Sequence, residues 1–393
     1  MKKSSINNPY IPKLRFKGFD GDYKLVKLDD VLFYEQPTKY LIKKEDYNDS
    51  FKTFVLTPNK SFILGKTNEK DGIYNKGPVI ILDDFTTDNK YVDFDFKIKS
   101  SAIKLLTTNK DNNLFYLFNL INNKKINVHG HNRHWIKILS QELRAIPPLH
   151  EQNKIARFLS LLDKQISLLE NKLHLYELYF KYYLKNLMKC NKYRIPKLRF
   201  KGFDGEWKTR KINELTSFIK SGGTPNTKNF LYYSNQGIPF LSIPDMKNKY
   251  LVSTQKFITD LGLKSSSTFI LKKNNLLFSI YATIGKISIN NIDVALPQSI
   301  LGIIPNELVL IEYFYYLLCF NKSKICKFNQ TGSQPNLSLN IFKNINLSLT
   351  LNVNEQNKIK TLFSNLDMYK NFLISKINLV KRLKKYFINL LFI

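Results

Sequence analysis

The chain has 393 residues, 43% of them apolar, so it is too long for one ordinary domain and too apolar for a disordered tail. Its 61 Lys and Arg against 31 Asp and Glu leave a formal charge of +30, which attracts polyanions and steers their approach. Charge alone does not separate DNA from RNA, ribosome or anionic membrane, and the abundant Asn, Lys, Ile and Tyr also read as the codon bias of an AT-rich genome.

The N-terminal MKKSSINNPY is basic but leads into no apolar h-region, so it does not read as a secretory signal. After IPKLRFKGFDG at 11–21, the segment 23–142 reads as short strands and turns. Apolar β-rich runs there are broken by Pro58-Asn59, Asp71-Gly72 and Gly77-Pro78. Lys60, Lys66, Lys70 and Lys76 fall in or beside these turns, where they could meet phosphates or simply solvent. SFILGKT lacks the first glycine of a phosphate-binding P-loop. HGHNRHW at 129–135 brings His129, His131 and His134 close, but no Cys pair or HExxH accompanies them, which argues against a metal site. Arg133 with His134 and Trp135 reads instead as a DNA contact or a polar packing cluster.

Pro147-Pro148 blocks helix just ahead of EQNKI at 151–155. Beyond it Ile155, Leu159, Leu162, Ile166, Leu169 and Leu173 recur in steps of four and three, continued by Tyr176, Phe180, Tyr183 and Leu187. That is the seam of a long heptad helix.

IPKLRFKGFDG returns letter for letter at 195–205, followed by EWK where the first copy has DYK. The second insert opens on SGGTPNTKNFLYY, where Thr224 and Lys228 are candidate DNA contacts. It continues through GIPFLSIPDM and LLFSIYATIGKISI, the latter two strands with Gly285-Lys286 at the turn. NQTGSQPNLS adds Gln330, Ser333 and Gln334. Amides read adenine edges and Lys reads guanine, although each loop could equally be a plain connection.

EQNKI recurs at 355–359, and Ile359, Phe363, Leu366, Leu373, Ile377 and Val380 repeat the seam, continued by Phe387 and Leu391. Lys370 and Lys384 interrupt it, with Tyr369 and Leu383 placed to cover the gaps. The basic end KRLKKYFINLLFI could touch a membrane, but its continued heptad favours packing on another helix. Two such stripes most simply bury each other; homodimerisation through each helix is the alternative. A helix of about 35 residues is roughly 50 Å long, or about 15 base-pair steps. No run reaches the roughly 18 apolar residues of a membrane span. Cys190, Cys319 and Cys326 form no disulfide framework and suit a reducing, cytoplasmic setting.

The chain is therefore written twice. The opening marks lie 184 residues apart and the EQNKI marks 204 apart, around unlike middles. Drift after tandem duplication would not readily spare eleven letters while erasing the centre. Two equivalent mounts holding two different readers explain it better.

This combination resembles the specificity subunits of type I restriction–modification enzymes over essentially the whole chain. The resemblance rests on the PKLRF openings, the Gly205-Glu206-Trp207 continuation and the Ala145-Ile146-Pro147-Pro148-Leu149-His150-Glu151-Gln152 exit. It rests also on the series GGTP, GIPF, ATIGK and TGSQPNLS in the second insert. The second exit keeps Glu355-Gln356 but has Leu349 to Val353 where prolines are usual, which leaves its turn open.

The resemblance implies an α/β fold of α+β character, with two target-recognition domains joined by two long antiparallel coiled-coil helices. The boundaries read as 1–148, 149–191, 192–350 and 351–393. It further implies sequence-specific binding of double-stranded DNA at a bipartite asymmetric site, without catalysis by this chain. Two modification subunits using S-adenosylmethionine would methylate adenine, and two restriction subunits using ATP and Mg2+ would translocate and cleave. The chain itself is expected to need no cofactor. It lacks a Walker pair, and Asn8-Pro9-Tyr10 lacks the second proline of an adenine methyltransferase motif. A fused nuclease–methyltransferase, an adaptor for another defence system and a purely structural coiled coil are the competing readings.

Overall fold

The computed structural model describes residues 10–59, 61–123, 133–328 and 336–393. Contacts divide the chain into one unit of Met1–Glu170 with Ser375–Ile393 and a second of Asn171–Ile374.

In the first unit, Phe33–Glu35, Ile103–Thr107, Val79–Asp83 and Asn89–Val92 form an antiparallel sheet in that order. Ile63–Thr67, Thr53–Leu56 and Phe96–Ile98 form a second, smaller sheet. VIILD at Val79–Asp83 reads as a continuous apolar run because both of its faces are covered. One face, through Val79 and Ile81, packs with Leu56, Phe96 and Ile98. The other, through Ile80 and Leu82, meets Leu117, Trp135, Ile155 and Leu159.

The second unit carries two five-stranded sheets. One runs Thr216–Ser221, Ile300–Pro305, Asn275–Ser279, Ile287–Asn290, Tyr250–Leu251. The other runs Tyr233–Ser234, Lys256–Ile258, Ile238–Phe240, Val294–Ala295, Ile270–Leu271. Helix Ile311–Cys326 packs on the first of these, its Tyr313, Phe314 and Leu317 buried with Phe278 and Leu301. Gly285, at φ +82°, makes the turn between Asn275–Ser279 and Ile287–Asn290, where a Cβ would lie 2.7 Å from Cys326 Sγ.

These pairings make the fold α+β, not α/β. Among the described residues the strands pair in parallel only at Thr53–Leu56 with Phe96–Ile98, Ile238–Phe240 with Val294–Ala295, and Tyr250–Leu251 with Ile287–Asn290. Tight antiparallel hairpins join Thr53–Leu56 to Ile63–Thr67, Val79–Asp83 to Asn89–Val92 and Asn275–Ser279 to Ile287–Asn290, and among the described residues no row of parallel strands linked by crossover helices, which an α/β fold needs, is present.

The two long helices are Leu149–Met188 and Val353–Leu391. Pro148 immediately precedes the first, as its ring requires. Before the second, where prolines are missing, the Asn352 side chain accepts hydrogen bonds from the Asn354 and Glu355 N–H groups. In the first unit Ile155, Leu159, Ile166, Ile377 and Val380 are buried, with Leu162 and Leu169 half-buried. Phe158 meets Phe387 edge-on at 5.0 Å, and Lys384 reaches Asp163 at 2.7 Å. In the second unit Ile359, Phe363 and Leu373 are buried, with Leu173 and Leu366 half-buried. There Phe180 packs on Phe363 at 5.3 Å, and Tyr176 OH donates to Leu366 O at 2.7 Å. In each unit the two helices therefore run antiparallel.

The interruptions in the seam are filled differently. Lys370 pairs with Glu177 at 2.8 Å, and beside it Tyr369 packs on Tyr176 at 5.1 Å. Leu383 is 40% exposed, and the half-buried Lys384 beside it reaches Asp163 with its ammonium.

The repeated letters form a clasp. Arg15 binds Glu151 through two hydrogen bonds of 2.9 and 2.8 Å, and its guanidinium also donates to the carbonyls of Asp20 and Gly21. In the second unit Arg199 binds Glu355 at 2.8 and 3.0 Å and donates to Gly205 O. Gln152 accepts from Asn113 N–H and donates to Pro147 O, while Gln356 accepts from Leu310 N–H and donates to Thr350 O. Leu14 N–H reaches Leu390 O, as Leu198 N–H reaches Asn186 O. Lys24–Lys27 pairs with Leu143–Ile146, and Lys208–Lys211 with Asn346–Leu349. Each unit is thus closed by its own opening segment, its own helix start and the end of the other long helix.

Candidate nucleic-acid interface

In the second unit the edge strand Thr216–Ser221 runs into Gly222 and Gly223. A Cβ on Gly222 would overlap the Leu296 carbonyl, and one on Gly223 would overlap Ser267 Oγ. Only glycine allows this approach, and it carries the chain to Thr224 at the lip of a cleft of about 500 Å³. Lys286 lines the same cleft from the strand turn, its Nζ donating to Ile243 O at 3.2 Å. Its backbone N–H is held by Ser279 Oγ at 2.8 Å. Ser242, Lys256, Thr283 and Ser299 add three hydroxyl-bearing loops and a second ammonium over a floor of Phe240 and Leu241. Gln298, between the lining residues Pro297 and Ser299, is exposed. Donors of both kinds around an apolar floor can meet phosphates and base edges together.

The structure therefore brings Thr224 and Lys286 together. Lys228 is exposed on the segment leaving Thr224, its N–H bonded to Asn226 Oδ1. Gln330, Ser333 and Gln334 lie outside the described residues, which resume at Asn336 in a bridge to Tyr281. Lys256, Ser242 and Ser299 had no local signal in the sequence, because they reach the cleft from three separate segments.

In the first unit the candidates have unlike surroundings. Lys66 lies on strand Ile63–Thr67, half-buried, with its ammonium 5.3 Å from the Phe54 ring and 3.3 Å from Asp49 O. Lys70 is exposed in the following turn. Lys76 is tied to Glu35 at 2.9 Å beside the Tyr40 ring, and these partners raise its pKa and keep it charged. Arg133 is exposed just before helix His134–Lys137. His134 and Trp135 turn inward instead: their N–H groups donate to Asp84 O at 2.7 Å and Asp84 Oδ1 at 2.8 Å. These two pack, and Arg133 alone of the three faces solvent. Lys60, His129 and His131 lie outside the described residues.

Among the described residues no group of three or more His, Cys, Asp or Glu is placed to hold a metal, and no helix is long and apolar enough to cross a membrane. Burial pushes the Cys190 thiol up to about 11 and Cys319 up to about 12, away from nucleophilic character.

The family described as the type I restriction modification DNA specificity domain matches residues 20–178 and again 204–382. The EcoR124I/EcoR124II specificity subunit of Escherichia coli is 32% identical over 98% of this chain and 96% of its own length. The MjaIX specificity subunit of Methanocaldococcus jannaschii is 29% identical over 41% of this chain and 38% of its own. Among solved structures, the S subunit of a type I restriction–modification system from M. genitalium superposes with a TM-score of 0.66. It covers 97% of this chain and 99% of that one at 13% identity, a likeness that speaks for the fold alone. A chain from a study of assembly and conformational transition of the type I R-M system gives 0.57 at 16% identity, covering 93% of this chain and 96% of that one. Matched by the family in both halves, and related along nearly its whole length to a specificity subunit, the chain belongs to the type I restriction–modification DNA specificity family.

Proposed function

We propose that each unit reads one half of a bipartite, asymmetric DNA sequence, and that the chain thereby tells a type I restriction–modification complex where to act. Members of this family supply DNA specificity and no catalysis, and the same holds for this chain. The observation that carries the bipartite reading is one clasp built twice, Arg15 on Glu151 and Arg199 on Glu355, around sheets of unlike order. Equivalent mounts with different readers suit two different half-sites. The Thr224–Lys286 cleft is the reading surface of the second unit, and Lys66, Lys70 and Arg133 are candidate contacts of the first.

The long helices set the separation between half-sites and dock the partners. Beyond the seam, Leu161, Leu168, Leu175 and Tyr182 recur every seven residues on the first helix and are exposed. Phe372, Leu379 and Tyr386 do the same on the second. Such apolar rows suit helices of two modification subunits, which would methylate adenine with S-adenosylmethionine. Two restriction subunits would add ATP- and Mg2+-dependent cleavage. The work of this chain is cytoplasmic.

Single-molecule methylome sequencing with the gene present and deleted, its partner genes expressed, tests this reading. Adenine methylation at one two-part motif should vanish with the gene. An unchanged methylome would overturn the assignment.

A further inference from the structure

We propose that Phe230 and Leu231 form a rigid wedge that inserts between stacked base pairs of the target duplex, beside the Thr224–Lys286 cleft. The inference rests on that cleft facing DNA. Phe230 is 88% exposed and Leu231 69%, adjacent on the 3₁₀ turn Phe230–Tyr232. Leu261, on the supporting helix Asp260–Lys264, is 53% exposed beside them. Scattered single apolar side chains on a surface need no explanation, but a Phe-Leu pair at the tip of a projecting turn does.

The tip is held, not loose. The Asn229 side chain accepts from Leu231 N–H at 3.1 Å, and Tyr232 N–H donates to Asn229 O at 3.2 Å. Thr259 takes the two outgoing carbonyls, its Oγ1 donating to Leu231 O at 2.8 Å and its N–H to Tyr232 O at 3.1 Å. Gly262 lies so close that a Cβ there would overlap the Tyr232 carbonyl. Tyr233 OH ties the base of the turn to Pro225 O at 2.7 Å. With its backbone groups satisfied inward, the turn presents Phe230 and Leu231 outward in a fixed conformation, so little order is lost when they insert.

The occupant follows from what adjoins the tip. The turn continues directly into the cleft: Thr224 lines it upstream, and Tyr233 packs on the lining residue Phe240 at 6.3 Å. Lys228, two residues before the apolar pair, and Lys264, at the end of the supporting helix, are exposed, with Asp260 the one acid on that helix. An apolar point flanked by ammonium groups is the arrangement by which proteins unstack a base step, bend the duplex and bring flanking phosphates onto lysines. A protein partner would need acidic residues placed to meet these lysines, whereas a duplex brings phosphates beside every base step. Insertion should favour a pyrimidine–purine step, which unstacks at least cost.

The test uses the assembled complex of this chain with its modification subunits, and a duplex bearing the methylome-defined site. 2-Aminopurine is placed at successive positions across the half-site read by the second unit. The wild-type complex should brighten the probe at one step. F230A should lose that signal and bind the site roughly five- to a hundred-fold more weakly, while F230W keeps both. K228A should weaken binding to every duplex alike and keep the signal. Unchanged fluorescence and affinity in F230A would overturn the wedge. So would F230A complexes that fail to assemble yet, once assembled at high concentration, bind DNA normally, which would make the tip a subunit contact. If the wild-type complex prefers no duplex at all, the DNA-facing reading itself falls.

Discussion

Arg15 and Glu151 illustrate how one side-chain pair can hold a unit shut. Glu151 is 1% exposed, and Arg15 with the Tyr23 hydroxyl supplies its hydrogen bonds. Removing one partner of such a pair strands a buried charge, which costs about 3–5 kcal/mol, whereas replacing both with apolar groups costs far less. Arg15→Met should therefore destabilise the first unit by that amount, and Arg15→Met with Glu151→Met much less. The chain has two tryptophans, Trp135 in the first unit and Trp207 in the second, both buried. Urea unfolding followed by fluorescence in a Trp207→Phe background reads the first unit alone. Arg199→Met in a Trp135→Phe background should give the same result for the second. Equal loss in the single and double variants would remove the clasp as the cause. The repeated letters were plain in the sequence, but their reason was not. Recurrence marks residues that matter; it does not reveal that Arg15 meets a carboxylate 136 positions away.

At the scale of elements, the turn through Gly222 and Gly223 governs where Thr224 goes. Gly222→Ala must push the Leu296 carbonyl aside, an overpacking that costs about 1–3 kcal/mol. The turn should move with it, lowering the melting temperature and weakening binding to the specific duplex more than to a random one. A variant that melts lower but keeps its sequence preference would separate the turn from recognition. Heptad spacing made both long helices legible, the first also through Pro147-Pro148, because a 3.6-residue period survives whatever the helix packs on. The cleft was only half legible. Thr224 and Lys286 stood out beside glycines, whereas Lys256, Ser242 and Ser299 sit in unremarkable sequence and converge only through sheet order. Lys76 failed to stand apart from its neighbours for the same reason, since nothing local places Glu35 against it. At Lys384 a lysine stands at a seam position that the pattern reserves for an apolar residue, which a lysine stem can fill while its ammonium finds Asp163.

For the whole molecule the formal charge of +30 sets the terms of association. Binding to any duplex should weaken steeply with salt, log Kd against log salt giving a slope near 0.9 for each phosphate neutralised. Lys70→Ala and Lys228→Ala should each lower that slope by about one while leaving sequence preference intact. A loss of preference without a change of slope would instead mark that lysine as a base reader. Exchanging residues 23–142 for the corresponding segment of another family member should change one half of the methylated motif and leave the other.

The clasp also decides when each unit can form. Leu391 and Phe392 belong to the core of the first unit, where Phe392 stacks on Tyr116 at 5.0 Å. Every segment of the second unit, Asn171–Ile374, is synthesised before those two residues are. The half translated first is thus the half completed last. At synthesis rates of roughly 5–20 residues per second it waits about 10–50 seconds with Ile155 and Leu159 uncovered by those two residues. A chain truncated at Ile374 and stalled behind a linker that clears the exit tunnel should resist protease across Asn171–Ile374 before its N-terminal half does, and any dependence on a holding chaperone should fall on the N-terminal half.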